Sequence, residues 1–261
     1  MSISAAADGD GAAMNMMSSN LVPAGRPVIS CANVSARYGR ITVVSDVTLH
    51  VVPGEMIAVL GANGAGKSSL LGSIAGTVSG SGRIEINGRQ VESYPSHKRA
   101  ISGLSLVPEQ RRNVFAAMTV KENIDLGLRL LPLSEREAQR DFIMELFPIL
   151  KERQAAGAGM LSGGEQQMLA ISLALGRKPD VMIFDEPTQG LAPAVFDTLQ
   201  HAFSALKQRG LAMILAEQNV PFAARVADRY VILSQGSIVR EGPGSDLANP
   251  EDIAEVFLGS K

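Results

Sequence analysis

A chain of 261 residues with 46% hydrophobic and 19% charged side chains has a globular composition, and its length suits one large domain or two small ones. Its 24 basic and 26 acidic residues give a formal charge of −2, which removes the electrostatic ground for general nucleic-acid binding. The single cysteine, Cys31, excludes an intrachain disulfide and a cysteine-built metal site, and the three histidines (His50, His97, His201) lack ligand spacing.

Residues 1–27 are rich in Ala, Gly, Ser, Asn and Met without periodicity, and read as a disordered tail with Met14, Met16 and Met17 as alternative starts. The first 25 residues hold no Lys or Arg and no continuous apolar stretch, unlike a secretory signal. No run of about 18 apolar residues is present to span a membrane. These features predict a soluble protein of a reducing compartment, and the mean hydropathy of +0.13 hints at a docking surface.

Strand composition begins at 34–38 and 43–52, with Pro53-Gly54 as a turn. The apolar run 56–60 leads straight into a glycine-rich loop, and 68–74 reads as a helix. Residues 83–87 alternate like a half-buried strand closed by Asn87-Gly88. Thr119-Val-Lys-Glu122 and Ser134-Glu-Arg-Glu137 are capping-box patterns, and Phe142, Leu146 and Ile149 recur at helical spacing. Ser162-Gly-Gly-Glu165 opens a further helix over 166–176. Strand-like runs return at 181–184, 211–216 and 229–233, separated by helical stretches at 195–208 and 221–227. The alternation predicts an α/β fold with a mostly parallel sheet, interrupted by a helical segment at about 108–164.

Three motifs carry chemistry. Gly61-Ala62-Asn63-Gly64-Ala65-Gly66-Lys67-Ser68 fits G-x-x-x-x-G-K-S, in which loop amides curl round nucleotide phosphates, the lysine adds a charge and the hydroxyl meets Mg2+. A helix follows and adds its positive end. The apolar run 181–184 delivers Asp185 and Glu186 to a strand end, where Asp185 would hold Mg2+ and Glu186 would orient or deprotonate water. Leu161-Ser162-Gly163-Gly164-Glu165 is a capping box whose free amides and hydroxyl also suit a γ-phosphate.

In this order and spacing the three motifs resemble the nucleotide-binding subunit of ABC transporters, over about residues 28–258. The resemblance implies a P-loop NTPase core, an antiparallel β subdomain and an inserted helical subdomain, within an ATPase domain over 28–261. It implies ATP and Mg2+ held by the phosphate loop through Ser69, with Lys67, Ser68, Asp185 and Glu186 acting in cis. Ser162, Gly163, Gly164 and Glu165 would act on ATP held by a partner ATPase in a head-to-tail dimer. Tyr38 takes the position whose ring stacks on adenine, the other reading being a strand aromatic in the core.

Three departures from the family pattern follow. Glu109 stands where the family has Gln, with Gln110 beside it, and an acid there can still hold a metal-bound water. Gly190-Leu191-Ala192-Pro193 lacks the usual Asp. Gln218 takes the place of a His that contacts the γ-phosphate, and can hydrogen-bond an oxygen but carry no charge. With Gly164–Ala170 and Glu217-Gln218-Asn219, these features resemble the second ATP-binding subunit of branched-chain amino acid importers. That branch implies a non-identical ATPase partner, two permease subunits, a solute-binding protein at one remove, no nucleic acid, and a place on the cytoplasmic face of the inner membrane. The Glu109–Asn123 region would meet the permease, with Phe115 and Met118 in either that cleft or the subdomain core. A urea- or amide-type importer and a soluble, non-transport ABC ATPase are the competing readings.

Overall fold

The computed structural model describes residues 25–248, so the tail expected over 1–27 lies almost wholly outside the described residues, as does the chain after 248. β1 (Ile29–Tyr38), β2 (Ile41–Val51), β4 (Ser79–Ile86) and the short β5 (Arg89–Gln90) form an antiparallel sheet in the order β2-β1-β4-β5. The second sheet has the order β10-β9-β3-β8-β7-β6. It joins β3 (Met56–Leu60), β6 (Leu104–Val107), β7 (Val181–Asp185), β8 (Ala212–Glu217) and β9 (Arg229–Ser234) in parallel, and β10 (Ser237–Pro243) closes one edge antiparallel.

Every residue of β3, β7 and β8 is buried, which is why these strands read as continuous apolar runs rather than alternating ones. Successive residues still point to opposite faces. Val181 and Ile183 join the core shared with the antiparallel sheet, whereas Met182 and Phe184 join the core under the helices. The Phe184 ring meets that of Phe203 of α7 (Pro193–Gln208) at 4.8 Å between centroids, tilted by 59°. Burying a side chain of that size stabilises by about 1.5–3 kcal/mol.

Helix α1 (Lys67–Ala75) lies between the two sheets, with Leu70, Leu71 and Ile74 fully buried among residues of both. Its end is set by Gly76, whose left-handed backbone (φ 76°) lets its N–H cap the carbonyls of Gly72 and Ser73. Helix α2 (Ser96–Ile101) precedes β6, and α3 (Val120–Leu128), α4 (Leu133–Leu146), α5 (Pro148–Glu152) and α6 (Gly163–Leu175) lie between β6 and β7. Helix α8 (Val220–Val226) joins β8 to β9.

The capping boxes expected at Thr119 and Ser162 are both formed, with reciprocal bonds to Glu122 and Glu165. The one expected at Ser134 is not. Helix α4 starts two residues earlier, with Pro132 in the capping position (φ −52°), so Ser134 lies inside the first turn. The proline ring fixes the entry of the chain and sets the start ahead of the serine. Strand β4 extends back through Ser79-Gly-Ser-Gly82, which lacks strand composition, because Ser79–Ser81 pair with 35–37 of β1.

Strand register brings the motif loops together. Leu60 lies opposite Glu217, and Asp185 opposite Ala216. The loops leaving β3, β7 and β8 therefore share one edge of the parallel sheet.

Candidate active site

The chain leaves buried β3 at Gly61, where a Cβ would overlap the Leu233 carbonyl oxygen. Glycine is required there by close approach of two backbones. At the end of the loop Gly66 adopts φ 106° as the N-terminal cap of α1, a conformation that L side chains rarely adopt. The loop closes on itself through Ala65 N–H to Ala62 O at 3.2 Å and is tied to β9–β10 through Gly236 N–H to Ala65 O at 3.0 Å. A cavity of about 180 Å3 is lined by Gly61, Ala62, Asn63, Gly64, Ala65 and, across from them, Leu233 and Gln235.

Lys67 and Ser68 open α1. The Lys67 Nζ donates to the carbonyls of Gly61 (2.8 Å) and Ala62 (3.2 Å) and pairs with Glu186 Oε1 at 3.0 Å. The Ser68 hydroxyl donates to Asp185 Oδ1 at 3.0 Å. Burial pushes the Asp185 carboxyl up from 3.8 to about 6, the Ser68 hydrogen bond opposes this, the charges of Glu109 and Glu186 add to it, and Lys67 draws it back. Glu109 thus acts on the site through its charge. Gln110 is exposed and sits in left-handed backbone (φ 57°), with its side chain bonded to Glu109 and Arg112 at 3.4 Å each. Of the two residues, Glu109 is partly buried and Gln110 faces solvent.

Glu186 itself has φ 46°, its N–H donates to Ala216 O at 3.0 Å, and Gln189 Nε2 donates to its Oε2 at 3.3 Å. Gln218 Nε2 donates to Asn63 Oδ1, so the residue in the histidine's place touches the phosphate loop. The Ser69 hydroxyl lies 3.4 Å from the Tyr38 hydroxyl. Tyr38 is 55% exposed, which overturns its reading as a core aromatic.

Ser162, Gly163, Gly164 and Glu165 stand apart. Ser162 caps α6, accepting from Glu165 N–H at 3.3 Å, while its own N–H donates to Glu165 Oε2 at 2.7 Å. That backbone bond, with the Ser162 hydroxyl and Arg153, holds the Glu165 carboxyl below its usual range. Gly163 O accepts from Arg111 at 3.0 Å, and a Cβ on Gly164 would meet Val195 Cγ2 at 2.7 Å. Among the described residues no hydrogen bond or ion pair joins this helix start to the phosphate loop. Ser162 and Gly163 face solvent.

The sequence reading gave no role to Glu217, Thr188 or Arg111. Glu217 is buried at the end of β8 and bonds Thr188. The signal was present: like Asp185, it is a carboxylate closing an apolar strand.

The model of the family described as ABC transporter matches residues 44–189. The chain belongs to the ABC transporter family. This ABC ATPase is 39% identical over 233 residues to the "High-affinity branched-chain amino acid transport ATP-binding protein BraG" of Pseudomonas aeruginosa, covering 89% of the chain and all of that protein. It is 34% identical over 237 residues to the "Probable branched-chain amino acid transport ATP-binding protein LivF" of Archaeoglobus fulgidus, covering 89% of the chain and 99% of that protein. A nucleotide-free ATP-binding cassette of an ABC transporter shares the fold at a TM-score of 0.79 and 22% identity, over 90% of this chain and all of that one. The ABC ATPase binds nucleotide and hydrolyses ATP as a transporter subunit. Among its described residues no helix is long and apolar enough to cross a membrane, and subunits of its kind work with membrane permeases.

Proposed function

We propose that this ABC ATPase powers the import of branched-chain or related amino acids. It pairs with a second, non-identical ATPase beneath two permease subunits, on the cytoplasmic face of the inner membrane, and a solute-binding protein delivers the cargo. The observation that carries the reading is the 39% identity to BraG across that protein's whole length. Gln218 beside Asn63 supports it.

The phosphate-loop amides and Lys67 bind the triphosphate, Ser69 continues the cradle, and Tyr38 stacks on adenine. Mg2+ fits Ser68 and Asp185, two oxygen donors 3.0 Å apart, with Glu109 near enough to act on Asp185. The described residues hold no cluster of three His, Cys, Asp or Glu, in keeping with a hard cation completed by substrate phosphates and water. Once bound, the ion would offset charge on the phosphates.

Glu186 takes a proton from water as the water oxygen bonds to the γ-phosphorus and the bond to the β-phosphate oxygen breaks, leaving ADP and phosphate. Gln189 orients Glu186, and Gln218 donates a hydrogen bond to a γ-phosphate oxygen. Ser162, Gly163, Gly164 and Glu165 close on ATP held by the partner ATPase, which agrees with the exposure of Ser162 and Gly163. Closure pulls on the helical subdomain at 108–164. An apolar cleft of about 430 Å3 between that subdomain and the rest of the chain, lined by Leu106, Phe115, Leu126 and Leu173, receives the permease. Phe115 is 50% exposed, whereas Met118 is partly buried, so Phe115 is the residue assigned to docking.

Native purification from membranes in mild detergent, with bound chains identified by mass, tests the proposal. A second ATPase and two permease chains are expected. Recovery of the chain alone, or with ribosomes or DNA, overturns the importer reading. Uptake of labelled leucine by the recovered complex in proteoliposomes then tests the cargo.

A further inference from the structure

A single buried carboxylate joins the loops that carry Glu186 and Gln218. Glu217 closes β8 and is 2% exposed. Its Oε1 accepts from the Thr188 N–H at 3.1 Å and the Thr188 hydroxyl at 2.6 Å. Its Oε2 accepts from the N–H groups of Gln218 at 3.2 Å and Asn219 at 3.3 Å. Thr188 lies in the turn closed by Gln189 N–H to Glu186 O at 3.1 Å, and Leu191 N–H returns to Thr188 O at 3.1 Å.

We infer that Glu217 is a positioning residue for ATP hydrolysis, holding the turn that bears Glu186 and the loop that bears Gln218 as one body against the phosphate. The inference rests on the reading of Glu186 and Gln218 as active-site groups. Taking a carboxylate out of water is costly, and here four donors offset that cost. All four come from the two active-site loops, and none from the surrounding core. The geometry that Glu217 satisfies is therefore the geometry of the site. Asn219 extends the body by capping α8, its Oδ1 accepting from Phe222 N–H at 3.0 Å. On the far side, Gln218 reaches Asn63 in the phosphate loop.

An amide cannot replace this carboxylate. In Glu217→Gln one accepting oxygen becomes an NH2 group. Facing Thr188, it opposes that residue's N–H. Turned the other way, it opposes the N–H groups of Gln218 and Asn219. Each orientation leaves donors unmatched in a buried place. The expected result is a shift of the reacting groups rather than loss of the nucleotide site, because Glu217 touches neither Lys67 nor the loop amides.

The test measures ATP hydrolysis by the full-length chain together with the subunits that co-purify with it. Glu217→Gln should lower kcat by at least ~10-fold, with KM for ATP within about threefold of wild type. Thr188→Val, which removes one of the four donors, should give a smaller fall of the same kind. The double variant Glu217→Gln/Gln218→Ala should lose less than the product of the two single losses. Wild-type kcat in Glu217→Gln, a raised KM at unchanged kcat, or losses that simply multiply would overturn the inference. If Glu217→Gln does not fold, the kcat and KM of Thr188→Val decide. Glu186→Gln runs in parallel. Wild-type turnover there removes the site reading itself, whereas a slow Glu186→Gln beside an unaffected Glu217→Gln removes only the positioning role.

Discussion

The ammonium of Lys67 lies 3.0 Å from the carboxylate of Glu186, and the two side chains are 4% and 10% exposed. The pair joins the first residue of α1 to the residue following β7, so the two motifs form one electrostatic unit. With little water to screen them, each charge depends on the other. A triphosphate oxygen competes with Glu186 for Lys67. On the proposed reading of Glu186 as the base, substrate binding and release of that base are one exchange: phosphate takes the ammonium, and the carboxylate becomes free to accept a proton from water.

This exchange separates two variants. Glu186→Gln keeps an oxygen for Lys67 but loses the base, so ATP should still bind while turnover falls by about 10²–10⁴. The ATP-closed dimer should accumulate, as read by size-exclusion chromatography with ATP. Turnover at the wild-type rate would refute the base assignment. Lys67→Ala acts on binding. It removes the charge facing the phosphates and strands the Glu186 carboxylate. ATP affinity should fall at least tenfold, about 1.4 kcal/mol, in a fluorescent-nucleotide titration.

Gln218 predicts unequal ATP sites. On the proposed reading, a neutral amide there bonds the phosphate but supplies no charge, and the proposed non-identical partner need not share it. Gln218→His would place there an imidazole that ionises near pH ~6.5. Turnover at this chain's site should rise and become sensitive to pH between about 6 and 7. Per-site turnover, read with the other site silenced, checks this. No change at either site would sink the inequality.

The parallel core and the phosphate loop were legible because both follow short-range rules. Continuous apolar runs marked β3, β7 and β8, and glycine spacing marked the loop between β3 and α1. The reading failed where long-range pairing decided the structure. Ser79-Gly-Ser-Gly82 becomes strand only because β1 offers it partners, and β10 is an edge strand with no apolar run. The start of α4 turned on one proline ring. Within the site, spacing named Lys67, Asp185 and Glu186, which lie together with Ser68, and left open whether Glu109 or Gln110 faces inward. Gln110 and Arg111 take left-handed backbone, invisible in composition, and Gln110 is exposed. Glu217 escaped because its role depends on Thr188, 29 residues away in the chain.

The permease reading predicts a docking defect at Phe115. Its ring lines the apolar cleft with Leu126 and Leu173 and is half exposed. Phe115→Asp puts a charge where an apolar partner segment would bury it. Aromatic anchors of this kind commonly carry 2 kcal/mol or more of an interface. Recovery of the permease chains in the pull-down should fall at least ~10-fold. Undiminished recovery would move the docking site elsewhere.

Stability should fall as the solution is made acidic, through His50. This histidine lies on β2, and its Nε2 is buried and makes no hydrogen bond. Burial, with the positive charge of Arg229, holds its pKa below the ordinary value, against the opposing charges of Glu55 and Glu241. Arg229 also donates to the His50 carbonyl at 2.7 Å while paired with Glu55 at 2.5 Å, so the cation cannot easily move away. The folded chain therefore keeps His50 neutral at a pH where the unfolded chain takes up a proton. Where the unfolded state binds more protons, stability rises with pH. The contribution is intact above about pH 6.5 and is lost as pH falls from there through the depressed folded value. Asp185 works in the opposite sense, since its carboxyl, raised to about 6, gains a proton in the folded state first. A difference measurement cancels that effect. Urea midpoints of the wild type and of His50→Gln, taken from pH 7.5 to 5.5, should diverge, with the wild type losing more on acidification. Parallel curves would mean that His50 titrates alike in both states, and that burial and the Arg229 charge do not hold it neutral.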